Sequence, residues 1–334
     1  MKRMGLIAVC ALALLLIAVY WFSDPVPEPV VVQLEPGPSP PRLPLGEAGI
    51  DPAAVESAVA YASVRNTRAL VIGRNGHIVF EKYWGNTTFD TPEQLSGFTP
   101  VLIALAAGSA MNDHLIPSLD QPLTNYVPGL PEGSSGTKTL RDLLSHGDTD
   151  SDDGWSANMA AEAIERVTKQ SYETLIKERL WKPMEAGSFT MARRSAAGPG
   201  AVRASCCMTA RLGDWMRVGQ MLSKDGVFEG NELAPRSFIA QMRKPASKDS
   251  KYGFYLRVDG TFAAHDVVWL ESDGGQRLWI VPSLDLVILR VGDEPARDKG
   301  WDEAMIPDSI IRGTSGWQSS KVSEGIDPAK FAPH

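Results

Sequence analysis

This sequence has few cysteines and no excess of positive charge. Of its 334 residues, 33 are Lys or Arg and 40 are Asp or Glu, which gives a formal net charge of −7. Proteins that bind a nucleic-acid backbone carry a basic surface, so this composition excludes nucleic acid as a partner. With 43% hydrophobic and 22% charged residues, the chain has an ordinary globular composition, which excludes disorder throughout.

The three cysteines are poorly placed for cross-linking. Cys10 lies in an apolar leader, and Cys206 and Cys207 are adjacent, where a disulfide ring would be strained. We therefore expect no disulfide and no Cys-based metal site, and we expect Cys206 and Cys207 to be small buried residues. A redox-active pair is the alternative. The sequence predicts no cofactor.

A long uncharged run opens the chain. Residues 5–22 (GLIAVCALALLLIAVYWF) carry no charge and end on two aromatic residues, which is typical of a transmembrane helix. Lys2 and Arg3 precede the run, so residues 1–4 are expected in the cytoplasm and the rest outside it, in the periplasm of a Gram-negative host. We predict an uncleaved single-pass anchor in the inner or cytoplasmic membrane, with a cleaved signal peptide as the alternative.

A proline-rich stretch separates this run from the remainder. Residues 23–46 contain eight prolines, which favours an extended spacer over a helix or a sheet interior. We therefore expect the folded domain to occupy residues 47–334.

Hydrophobic periodicity predicts strands at both ends of this domain and helices between them. Two β-rich runs, residues 69–74 and 77–84, flank Asn75-Gly76, a dipeptide typical of a tight hairpin. The other predicted strands cover residues 253–258, 267–271, 276–281 and 284–291, and the predicted helices cover residues 51–64, 99–111, 137–146, 158–181, 211–222, 235–242 and 301–312. This order predicts an α+β fold: an antiparallel sheet flanked by helices, an inserted helical lobe, and a cleft between the two.

Several local sequences occur in a characteristic order. They are residues 80–85 (FEKYWG), 115–123 (LIPSLDQPL), 125–130 (NYVPGL) and 139–147 (TLRDLLSHG). In this order the chain from about residue 47 to 292 resembles the serine β-lactamase and penicillin-binding protein superfamily, in its class C, esterase and aminohexanoate-oligomer hydrolase branch. The resemblance implies a serine β-lactamase-like fold and acyl transfer from an amide or an ester to a serine.

The family spacing, counted back from Leu115, places the nucleophile at Ser96. The family has Ser-x-x-Lys here, whereas this sequence has Thr99 at the lysine position. A second register would place Ser96 at the lysine position and Glu93 at the serine position. The tyrosine of the family's Tyr-x-Asn motif is also absent, and its nearest counterpart is the sequence from Trp155 to Asn158.

The third family motif, Lys-Thr-Gly or His-x-Gly, corresponds to Ser272, Asp273 and Gly274. The resemblance implies that these residues and Thr99 line the cleft. It also implies that the backbone N–H groups of Ser96 and Gly275 form an oxyanion hole.

Two histidines are candidates for a substitute base. We consider His146 and His265, because a serine hydroxyl needs a proton acceptor to attack a carbonyl near neutral pH. The acidic run at residues 148–153 is expected to be a solvated surface turn, with a divalent-cation loop as the alternative.

The predicted function is therefore a membrane-anchored hydrolase that acts through Ser96 on a small-molecule or peptide-like ligand. The alternative is a catalytically inactive relative that binds a peptide-like or cell-wall ligand, or that scaffolds an envelope complex. A third hypothesis, a divalent-metal hydrolase that uses His146 and the neighbouring aspartates, would need ligands that converge on one point.

Overall fold

A five-stranded antiparallel sheet lies at the centre of the structure. The computed structural model describes residues 27–130, 137–145, 154–247, 250–293 and 300–318. In spatial order the strands are β3 (His77–Tyr83), β2 (Thr67–Arg74), β11 (Leu286–Gly292), β10 (Gln276–Val281) and β9 (Val268–Ser272). Strands from the start and the end of the domain thus pair in one sheet, which confirms the predicted antiparallel arrangement.

The turn between β2 and β3 has the local conformation that its sequence predicts. Asn75 has φ +52° and Gly76 has φ +80°, and two consecutive left-handed residues are what a two-residue hairpin with the natural strand twist requires. The hairpin fixes the register in which Arg74 pairs with His77.

Helices cover both faces of the sheet. They are α1 (Pro52–Ser63), α2 (Val101–Asn112), α3 (Leu140–Leu144), α4 (Trp155–Thr168), α5 (Tyr172–Leu175), α6 (Leu212–Ser223), α7 (Arg236–Met242) and α8 (Met305–Arg312). One hydrophobic core contains α1 and α8, and a larger core on the opposite face contains α2, α4 and α6. Residues 101–110 of α2 are all buried, as a helix without a polar face requires.

Two predicted elements differ from the structure. The predicted helix at residues 158–181 is interrupted after Thr168, because Lys169 adopts a left-handed conformation with φ +55°. The chain then resumes as α5 and a π-helical turn, Ile176–Trp181. The predicted strand at residues 253–258 is reduced to isolated bridges, in which Arg257 pairs with Tyr252 and, on the outer side of β9, with Trp269.

From Val30 onward the proline-rich segment pairs with the rest of the domain, whereas the sequence predicts an extended spacer over residues 23–46. Strand β1 (Val30–Val32) pairs with β5 (Phe189–Met191) in a second sheet that continues through β6 (Thr209–Arg211) to β4 (Pro92–Gln94). The remaining described pair of strands is β7 (Val227–Phe228) with β8 (Asn231–Glu232). The run Val30–Val32 lacks proline, so all three residues can pair in a sheet.

Backbone contacts hold the rest of this segment. The carbonyl of Pro38 accepts a hydrogen bond from the buried guanidinium of Arg217, and Leu43 N–H donates to Ile78 O at 3.1 Å. Proline has no N–H but keeps its carbonyl, so a proline-rich segment can still be held through its acceptors. The folded domain therefore includes residues from about Val30.

The predicted transmembrane run, residues 5–22, lies outside the described residues. Among the residues that the structure does describe, no helix is both long enough and apolar enough to cross a membrane.

Removing the proline-rich segment should destabilise the domain. A chain that starts at Glu47 loses β1 and the acceptor for Arg217, so we expect it to unfold with a free energy lower by about 2–4 kcal/mol than a chain that starts at Pro27. Chemical denaturation of the two chains measures the difference. Equal stability would contradict the assignment of this segment to the folded domain.

Candidate functional site

Ser96 lies at a sharp turn between strand β4 and helix α2. Leu95 is fully buried, and residues Ser96–Phe98 form a 3₁₀ turn that leads into α2. The ring of Phe98 packs edge-on against Trp215 with centroids 5.4 Å apart. These two buried neighbours fix the turn, and Ser96 remains half-buried at its start.

The hydroxyl of Ser96 accepts a hydrogen bond from a side-chain amide. Gln94 Nε2 donates a hydrogen bond to Ser96 Oγ at 3.3 Å. The NH₂ group of a side-chain amide donates hydrogen bonds, but it is not a base that can take a proton from a hydroxyl at neutral pH. Within the described residues, Ser96 therefore has no hydrogen bond to a histidine, a lysine or a carboxylate.

Thr99, the residue at the family's lysine position, is fully buried and has a structural role. Its hydroxyl accepts a hydrogen bond from Met208 N–H at 3.2 Å and donates weakly to Leu95 O at 3.5 Å. Both partners are backbone groups, so Thr99 connects the start of α2 to the segment before β6. A neutral, satisfied hydroxyl cannot remove a proton from Ser96.

Gly97 brings the Ser96 turn into direct contact with the end of β9. Its N–H donates to Ser272 Oγ at 3.0 Å. A Cβ atom at this position would lie 2.1 Å from Glu271 O, so only glycine permits so close an approach. Ser272 thus lies beside the Ser96 turn.

The chain turns back immediately after Ser272. Asp273, Gly274 and Gly275 form this turn, and both glycines have positive φ, +73° and +71°. The structure therefore brings Ser96, Thr99 and the turn of residues 272–275 to one end of β9.

Arg290, which lies in strand β11, holds this turn in place. Its guanidinium is fully buried in β11, and Nη1 donates to Gly274 O at 2.7 Å and to Gly275 O at 2.9 Å. Nε donates to Thr67 Oγ1. Among the described residues Arg290 has no carboxylate partner, and burial lowers its pKa to about 10.

A polar cluster occupies the outer side of the same strand end. Tyr252 Oη and Arg257 Nη1 each donate to Glu271 Oε1 at 2.7 Å, and Arg277 lies on the other carboxylate oxygen. Burial and the bond to Glu271 raise the pKa of Tyr252 to about 12. Tyr252 therefore keeps its proton near neutral pH and is bonded to Glu271.

The two candidate bases are placed differently. His265 is exposed in the loop that precedes β9, whereas Ser272 and the Ser96 turn lie at the opposite end of that strand. A strand advances about 3.3 Å per residue, so the length of β9 alone separates them by about 13 Å. The structure does not bring His265 to Ser96. His146 lies outside the described residues.

Asn158 is fully occupied by structural hydrogen bonds. Its Nδ2 donates to Gly154 O at 2.8 Å and to Ser205 Oγ, while its Oδ1 accepts from Ala204 N–H at 2.9 Å. This side chain holds residues 204–205 against the start of α4. In the described part of the chain no three potential metal ligands converge, and the acidic run at residues 148–153 lies outside that part.

Cys206 and Cys207 form a disulfide with each other, which corrects the expectation of two small buried residues. Both are half-buried, and Cys207 adopts a left-handed conformation with φ +74°. This turn of the backbone, between two segments held by Asn158 and by Thr99, lets the adjacent sulfur atoms meet.

Three residues of this region were not predicted to belong to it: Gln94, Tyr252 and Arg290. Arg290 left a signal in the sequence, because a single arginine inside the apolar run LVILRVG must either be paired or bond to backbone. Gln94 and Tyr252 left none, since their roles arise from contacts between distant segments.

Comparison with solved structures supports the same fold. A protein assigned as a 6-aminohexanoate-dimer hydrolase from Bacillus anthracis aligns with a TM-score of 0.64 and 16% identity, covering 82% of this chain and 87% of its own. A family VIII carboxylesterase aligns at 0.60 and 14% identity, covering 79% and 98%. A penicillin-binding protein homologue from Caulobacter crescentus aligns at 0.58 and 13% identity, covering 78% and 96%.

Sequence comparison adds no relative. No family model matches the chain, and no curated protein matches it. The structural matches alone show that the chain has the fold shared by serine β-lactamases, penicillin-binding proteins and family VIII carboxylesterases. The sequence motifs predict the same fold.

Replacing Arg290 should be far more costly than replacing an exposed arginine. Arg290→Met removes the buried donor that holds the half-buried carbonyls of Gly274 and Gly275 and the hydroxyl of Thr67, so we expect a loss of about 3 kcal/mol in the free energy of unfolding. Guanidinium denaturation measures the loss.

Arg312→Met is the matched control. Arg312 is 59% exposed and pairs with Asp308 one helical turn away, so this variant should lose less than about 0.5 kcal/mol. Equal losses in the two variants would contradict the role given to Arg290.

Proposed function

We propose that this protein is a serine hydrolase that transfers the acyl group of an amide or an ester to Ser96. The observation that carries the proposal is the position of Ser96, at the start of a buried helix and against the end of edge strand β9. Two proteins of the same fold are named as a hydrolase of an aminohexanoate dimer, which is an amide, and as a carboxylesterase.

The proposed reaction uses one hydroxyl and two backbone donors. Ser96 Oγ attacks the carbonyl carbon, and the N–H groups of Ser96 and Gly275 stabilise the negative charge that develops on the carbonyl oxygen. The leaving amine or alcohol departs with a proton, and water then releases the acid from Ser96. β-Lactams are less suitable substrates, because the lysine, the tyrosine and the Lys-Thr-Gly motif are all altered.

The proton of Ser96 needs an acceptor from outside the described contacts. His146 is our candidate, because the other histidine considered, His265, precedes β9 and so lies at the opposite end of that strand from Ser96. Without an acceptor the hydroxyl is too weakly acidic to react at a useful rate.

A second candidate function is binding without catalysis. Ser96 Oγ is bonded to the amide of Gln94, and the hydroxyl of Thr99 is used by backbone groups. Both observations favour a protein that binds a peptide-like or cell-wall ligand in the cleft or that scaffolds an envelope complex.

We also propose that residues 5–22 anchor the protein in the inner or cytoplasmic membrane with the folded domain outside the cytoplasm. Because the fold includes residues from about Val30, such an anchor would place the domain close to the membrane surface.

A fluorophosphonate probe distinguishes the two functions, because it reacts covalently with activated serines. If Ser96 is activated, the protein is labelled and Ser96→Ala is not. Ser283→Ala is the control, since Ser283 Oγ also has a polar partner, Asp266 at 2.8 Å, but lies at the far end of the sheet. Absence of labelling in the folded wild-type protein would contradict the hydrolase and favour the binding protein.

A further inference from the structure

The disulfide between Cys206 and Cys207 lies between two segments that are held firmly in place. On one side, the N–H groups of Ala204 and Ser205 both donate to Asn158 Oδ1. On the other side, Met208 N–H donates to the buried hydroxyl of Thr99. The two cysteines therefore lie directly between these two sets of hydrogen bonds, so a change in their backbone acts first on the bonds beside them.

The pairing of β4 with β6 brings this disulfide close to Ser96. Gln94 pairs with Thr209 at the end of the ladder, and the strands are antiparallel. The ladder ends there, so Ser96 follows the last paired residue of β4 by two positions and Cys207 precedes the first paired residue of β6 by two positions. Thr99 strengthens the connection, because it accepts from Met208 N–H and its own N–H donates to Ser96 O at 3.2 Å.

The exposure of the pair permits chemistry. Both cysteines are half-buried, so a small thiol can reach a sulfur atom, whereas the neighbouring Ser205 and Met208 are buried. Thiol–disulfide exchange requires such access to one sulfur.

We propose that Cys206–Cys207 is a reversible redox modification site that controls the conformation of the Ser96 turn. An external dithiol is the reductant: its thiolate attacks one sulfur, the Cys206–Cys207 bond breaks, and a mixed disulfide forms. The second thiol of the reductant then displaces that cysteine. The protein gains two electrons and two protons as two thiols, and the dithiol leaves as its own disulfide.

The conformational consequence follows from the backbone of Cys207. Its φ of +74° is unfavourable for a residue with a side chain, and the disulfide ring keeps Cys206 and Cys207 in that turn. Once the ring opens, Cys207 relaxes toward an extended conformation, which turns the following peptide. The N–H of that peptide belongs to Met208, so its hydrogen bond to Thr99 breaks.

Mass spectrometry of the full chain tests the redox site. Both cysteines fall in one tryptic peptide, residues 204–211 (ASCCMTAR). After alkylation without reductant, we expect this peptide to be unmodified and two hydrogens lighter than its dithiol form. After dithiothreitol treatment of the folded protein, it should carry two alkyl groups. Two alkyl groups without any reductant, in protein first exposed to oxidised glutathione, would overturn the proposal.

Hydrogen exchange tests the control of the Ser96 turn without relying on catalysis. In the dithiothreitol-treated protein, amides of residues 95–103 and 205–212 should exchange at least about fivefold faster, as expected when one hydrogen bond is lost. Unchanged exchange at residues 95–103 would overturn the coupling. Neither measurement involves substrate. The redox proposal is therefore tested independently of the proposed hydrolase activity.

Matched variants complete the design. In the double variant Cys206→Ser, Cys207→Ser, the amides of residues 95–103 and 205–212 should exchange as fast as in the dithiothreitol-treated wild-type protein. Dithiothreitol should not change their exchange further. Cys10→Ser keeps the pair, so it should respond like the wild-type protein. A response that persists in the double variant would also overturn the proposal.

Discussion

The candidate site depends on the hydrogen bonds that the buried guanidinium of Arg290 donates to the turn at residues 273–275. The guanidinium bonds to the carbonyls of Gly274 and Gly275. Among the described residues this buried cation has no ion pair with a carboxylate, so it can be accommodated only if several acceptors converge on it. The turn and the arginine therefore define each other's positions. The turn joins β9 to β10, so the bonds from Arg290 act at the strand end where Gly97 contacts Ser272.

The described residues supply some of the groups that the proposed acyl transfer would need and do not supply others. The parts that depend on backbone are present: a serine at the start of a buried helix, a glycine that permits close approach to a strand edge, and a turn with positive φ. An ionisable side chain that could accept the proton of Ser96 is not among the described contacts, since Thr99 bonds to backbone groups and Ser96 Oγ accepts only from Gln94. Binding and polarisation of a carbonyl therefore need fewer assumptions in this protein than proton transfer does.

The sequence predicted local features well and long-range features poorly. The Asn75-Gly76 hairpin and the buried helix α2 follow from local conformational preference and hydrophobicity, so both were predictable. The candidate site was predicted only through motif order, which assigned Ser96 and residues 272–274 to one cleft; the structure has the Ser96 turn and residues 272–275 at one end of β9. The interruption at Lys169, the pairing of Val30–Val32 with β5 and the Cys206–Cys207 disulfide were missed, because each depends on tertiary contacts that no local pattern encodes.

A crystal structure of the protein with a boronic acid that mimics an acylated serine would test the central claim most directly. Boron accepts a serine oxygen and becomes tetrahedral, like the carbon in the proposed intermediate. The account predicts boron bonded to Ser96 Oγ and one boronate oxygen within hydrogen-bond distance of the N–H groups of Ser96 and Gly275. Boron bonded to another residue, or a boronate oxygen directed away from both N–H groups, would contradict it.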